Sequence, residues 1–166
     1  MKDKLHNAAR QWELLDSTGH VPAAPPYPAL LRHAIDAQDL SRDVLRLTAD
    51  FAESPHHTTH VGKTVQKHLA TAATMSSHAA PHFAETAECA LTLPRSANPT
   101  DRHYLTNRMV IDHAWARAFL RRASESLRDA AKELDGHVGF QRFLAPLIRQ
   151  EGPPAPPPPR PGGRHR

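Results

Sequence analysis

Six of the chain's thirteen histidines lie between His56 and His82. Two of them, His78 and His82, are followed by Glu85 and Cys89, at steps of four, three and four. On an unbroken helix that spacing lines all four side chains along one face. Imidazole, carboxylate and thiolate are all competent ligands for zinc or a similar divalent metal. A metal-bound water would then be the reactive species, and the site could be hydrolytic. His56 and His60 repeat the four-residue step. The blander reading is a solvated histidine face with Cys89 as a small core residue. In a histidine-rich chain, composition favours that reading, because His-x-x-x-His pairs arise there by chance.

A second pair is set apart by its surroundings. His33 and His113 each fall on the apolar stripe of a predicted helix. If the two meet across a bundle, their titration near neutral pH could serve as a switch, or a histidine of the 78–82 pair could complete a three-histidine metal site. The simpler expectation is a core histidine hydrogen-bonded to a neighbour.

Other chemistries fail on pattern. Gly62-Lys63-Thr64 resembles the end of a phosphate-binding loop, but His57 stands where that loop needs a glycine and no buried strand precedes it. There is no Gly-x-Ser-x-Gly, no Cys-x-x-Cys and no dinucleotide fingerprint. The carboxylates from Asp36 to Asp50 alternate with arginines, the pattern of a solvated helix face. No catalytic residues are assigned, and the balance is against an enzyme.

These residues need helices to hold them. Asn98-Pro99 is a cap followed by a proline at the first helical position, and Asp101 suits the first turn. From there Met109, Ala116, Leu120, Ala123, Leu127, Ala130 and Leu134 recur at helical steps up to Gly136, which is expected to end the helix as a left-handed C-cap. Leu30, His33, Ala37, Leu40, Val44, Leu47 and Phe51 keep coiled-coil-like heptads over residues 28–53. Val61, Val65, Leu69 and Ala72, then Phe83, Ala87 and Leu91, describe a helix over 59–93. Pro81 in its middle predicts a kink, or two shorter helices. Leu5, Ala8, Trp12 and Leu15 give a short first helix, and the prolines of Val21–Pro28 an extended connector. Phe140 to Ile148 suggests a short closing helix.

The fold class is therefore all-α: an up-and-down bundle of three long helices with one or two shorter ones over residues 1–151. A disordered Pro/Arg-rich tail follows over 152–166. Trp12, Leu40, Leu47, Phe51, Val65, Leu69, Phe83, Trp115, Phe119, Leu120 and Leu127 are expected inside. Aromatic residues make up only 5% of the chain and isoleucine appears three times, which disfavours a sheet.

Charge narrows the partners. The net charge is +4. Residues 137–166 hold five basic side chains against one acidic, so the excess belongs to the tail and the rest is nearly neutral. A nucleic-acid surface is normally less compensated, although Arg160, Arg164 and Arg166 could make weak phosphate contacts. The tail's Pro-x-x-Pro runs could dock on an aromatic groove. A lone Cys89 excludes an internal disulfide framework. No apolar run approaches the roughly 20 residues of a membrane span, so a reducing, cytoplasmic location is expected. The function read from these features is a non-enzymatic interaction or regulatory module, acting on a protein partner or on itself through a helix face or the proline-rich tail. A histidine-rich metal-binding bundle and a nucleic-acid accessory protein acting through its tail are the alternatives.

Overall fold

The computed structural model describes residues 2–15, 19–22 and 24–150. The tail, with the partners expected of it, lies outside them. Four helices hold most of the described residues: α1 (Lys2–Gln11), α2 (Tyr27–Glu53), α3 (His60–Thr92) and α4 (Pro99–Gln150). Among the described residues there is no strand, and no helix is long and apolar enough to cross a membrane.

Local chemistry sets the boundaries. Pro28 sits at the start of α2, where its missing N–H is no loss. Thr59 caps α3, its hydroxyl accepting the backbone N–H of Gly62 at 2.9 Å. Asn98 caps α4 in the same way, its side-chain oxygen accepting from Thr100 N–H at 2.9 Å. A 3-10 turn, Leu93–Arg95, joins α3 to α4.

α3 passes through Pro81 as the single long helix expected over 59–93 and is not divided into two there. Pro81 and Ser77, whose carbonyl loses its usual N–H partner there, both lie on the exposed side, where water can satisfy that carbonyl. α4 also passes Gly136 and continues through the segment expected to form a separate closing helix. Gly19 alone among the described residues has positive φ. Glycine permits the left-handed cap without compelling it, and a mid-helix glycine costs only about 1 kcal/mol relative to alanine. At 1.5 Å per residue α4 is roughly 80 Å long and α3 roughly 50 Å. The far end of α4 therefore runs beyond its partner.

Neighbouring helices pack as α2 on α3, α3 on α4 and α4 on α1. Asp3 lies beside Leu127, Ala130 and Leu134, whereas Leu14 lies beside Val110 and His113. α1 and α4 thus run in opposite directions, which completes an up-and-down arrangement. An open groove separates α1 from α2 between Trp12, Ala8 and Leu40.

Small residues dominate the interior. Ala72, Ala73, Ala79, Ala80, Ala87 and Ala90 of α3 and Ala116, Ala123 and Ala130 of α4 are all buried. Phe83, Leu5, Met109, Leu120, Val44 and Val65 are the largest fully buried apolar side chains. Leu69 and Leu127 are buried as expected, and Trp12, Leu40, Phe51 and Phe119 pack partly buried against the same core. Leu47 and Trp115 are not core residues and stand exposed. The buried line of α2 steps through 30, 34, 37, 41 and 44, so Thr48 and Phe51 continue it and Leu47 falls beside it. Trp115 precedes the buried Ala116 by one position, a turn of about 100° that carries it to the outside.

Among the described residues, Gly62 is the one glycine whose missing side chain is needed. A Cβ there would overlap the His56 carbonyl oxygen and crowd the Thr59 hydroxyl. The backbone atom cannot swing aside as a side chain can. Gly62→Ala should therefore destabilise the protein by about 1–3 kcal/mol despite alanine's better helix propensity. An unchanged denaturant midpoint would contradict this packing.

Candidate functional site

The face shared by α3 and α4 holds most of the chain's polar chemistry. His82 Nδ1 lies 3.0 Å from Asp112 Oδ1 across the two helices. Arg108, one turn before Asp112, reaches Glu85 Oε2 through Nη2 at 3.3 Å and Asp112 Oδ2 through Nε at 3.5 Å. Asp112 is the anchor of this group. Its side chain is only 10% exposed, and Oδ2 is buried without a hydrogen bond, leaving the long ion pair to Arg108 as its compensation. Glu85 beside Arg108 raises the guanidinium pKa further, so Arg108 is always charged.

Among the described residues, His82, Glu85 and Asp112 are the one group of three or more metal-competent side chains whose donor atoms all lie within 4.8 Å of one another. Two of them belong to the row His78, His82, Glu85, Cys89. The other two members of that row lie apart. His78 is exposed and packs on Phe119, ring centroids 5.2 Å apart. Cys89 is buried, and its burial pushes the thiol pKa up, against a lowering contribution from Arg108. Eleven residues of helix rise about 16 Å, far more than one ion spans. Asp112 was missed because it comes from a different helix. Its signal in the sequence was an acid next to the buried stripe, just before His113.

An aromatic ladder covers this polar group. His82 stacks on Phe119 at 5.6 Å, and Phe119 on Trp115 at 5.8 Å. Beyond it runs an apolar stripe on the outer side of α4. Tyr104, Ile111 and Trp115 are 62%, 55% and 54% exposed, and their spacing of seven and four residues puts them on one face.

His33 and His113 do meet. Their ring centroids are 6.2 Å apart in a box completed by Trp12 and Phe83. Trp12 lies flat on His33 at 4.9 Å, and Phe83 stands edge-on to Trp12, His33 and His113. One nitrogen of each ring, His33 Nδ1 and His113 Nε2, is buried without a hydrogen-bond partner, so at those atoms the expected core hydrogen bond does not form. Burial, helped by Arg117 and by His33 itself, lowers the His113 pKa to about 4. Burial also lowers that of His33, against a smaller opposing effect of Asp36. Both rings are therefore neutral at pH 7. Among the described residues no third histidine joins them in a metal-competent group, and His82 lies instead against Asp112.

No protein-family model matches this chain, and no curated protein or solved structure is similar enough to count as a match. The function is read from its own residues.

Proposed function

We propose that this helical bundle is an interaction module, and that its working surface is the outer stripe of α4. The observation that carries this reading is the exposure of Tyr104, Ile111 and Trp115 on one helical face. Tryptophan and tyrosine are the residues most often found at the energetic centre of protein interfaces. Three large apolar side chains left in water at helical spacing are what an amphipathic helix laid alongside would cover.

Charge selects the partner. Of the five arginines that residues 99–122 carry against two aspartates, Arg108 and Arg122 fall within about 40° of the stripe, and Arg102, Arg117 and Arg121 lie on other faces. A helix with apolar residues at three- and four-residue steps and acidic flanks complements that surface. A symmetric α4-to-α4 contact would instead oppose arginines to arginines.

Site-specific photocrosslinking tests this. A crosslinker at Ile111 should trap a discrete partner, whereas one at Arg128, on another exposed face of α4, should not. A synthetic acidic amphipathic helix should compete, and a basic twin of the same apolar pattern should not. Trp115→Ser should weaken the captured complex by about 30-fold or more, the scale of an interface hot spot, and leave the fold intact. Equal crosslinking at both positions, or adducts only with a second copy of the chain, would overturn the proposal.

A further inference from the structure

Arg108 occupies the centre of the polar group on α3 and α4, yet it is held loosely. Its contacts to Glu85 and Asp112, at 3.3 and 3.5 Å, are longer than the 2.7–2.9 Å of a tight charge-assisted hydrogen bond. Its side chain is 43% exposed, so on leaving it is readily hydrated, and the cost falls on Asp112 until another cation takes its place. What would remain is His82, Glu85 and Asp112 around one point, with Asp112 Oδ2 buried and short of a hydrogen bond. A nearly buried carboxylate whose neutralising cation is mobile is poised to accept a better one.

We propose that His82, Glu85 and Asp112 form a site for a divalent cation of the zinc class, and that Arg108 is the built-in guanidinium which the ion displaces. One imidazole and two carboxylates favour a borderline first-row ion over calcium or magnesium, which prefer all-oxygen shells. Zinc–donor bonds of about 2.0–2.2 Å require the donors to draw closer than 4.8 Å. Glu85, 42% exposed on its side chain, is the member free to move. Asp112 and His82 are already in contact across the helices, so the ion would clamp α3 to α4. This site shares Arg108 with the flank of the docking stripe, but metal titration and partner crosslinking test the two separately.

Calorimetric titration of the full chain with zinc chloride, with magnesium as a control, tests both halves of the proposal. Thirteen histidines make weak background binding certain, so the variants decide. The wild type should bind one zinc in a saturable step that magnesium does not reproduce. Glu85→Gln, at a half-exposed position that the fold tolerates, should weaken that step at least tenfold, and Asp112→Asn should abolish it. Arg108→Gln, which removes the competing cation, should tighten it about tenfold. A step unchanged in Glu85→Gln and Asp112→Asn, or no saturable step in either the wild type or Arg108→Gln, would overturn the site. Loss in Glu85→Gln with unaltered affinity in Arg108→Gln would overturn the displacement by Arg108.

Discussion

Phe83→Ala should remove about 3–5 kcal/mol of stability, the scale for truncating a buried phenylalanine. Phe83 is fully buried and touches three rings edge-on, from α1's end, α2 and α4. Its neighbours along the helices are mostly alanines, which have no side-chain reach with which to fill the void. Small domains have roughly 5–15 kcal/mol in total, so a fifth or more of the margin rests on one side chain. The denaturant midpoint should fall with the slope unchanged. A loss below about 1 kcal/mol would mean that the void collapses, and that the box around Phe83 is not the centre of the core.

The second large effect is on pH. A histidine ordinarily near 6.5 that is held to about 4 takes up its proton in the unfolded chain before it does so in the folded one. Between these values the unfolded state binds more protons, so stability rises with pH. Read downward, the loss begins as pH drops below about 6.5 and is complete near 4. At 1.36 kcal/mol per unit it amounts to about 3 kcal/mol from His113. The groups that face it do not rescue the charge. Arg117 on α4 repels it, His33 on α2 does the same, and α3 offers the apolar Phe83. His113→Leu should flatten most of this slope and, by removing an unpartnered buried nitrogen, add about 1 kcal/mol at pH 7. The slope that remains belongs to His33, whose pKa burial also lowers. Urea unfolding of both proteins at pH 7, 5.5 and 4.5 measures the difference. Parallel pH curves would refute the assignment to His113.

The elements were legible in the sequence because they are set locally. Thr59 and Asn98 act as caps at the expected helix starts, and the period-3.6 stripes place Leu30, Val65, Leu69 and Leu120 inside. The failures share a physical cause. Spacing within one helix brings His82 and Glu85 to the same face, but says nothing of Asp112, whose approach depends on how α4 slides against α3. Trp115 looked interior by residue type, and one position of register put it in water. Gly136 weakens a helix locally, yet the end expected there was overridden by the helix on either side, as was the alternative of two helices meeting at Pro81.

The ten residues of α1 pack on α4 from the far end of the chain and leave the groove toward α2 open. They reach α4 across about a hundred residues of sequence, whereas α2, α3 and α4 meet through short turns. A helix of that length has no stability of its own, and its contacts form only on a surface that the other three have already built. Once they have, the search is shortened to the fifteen residues between Gln11 and Tyr27, a modest loss of chain entropy. α1 is thus expected to be the last piece to arrive in folding and the first to depart, taking Trp12 from its stack on His33 as it goes.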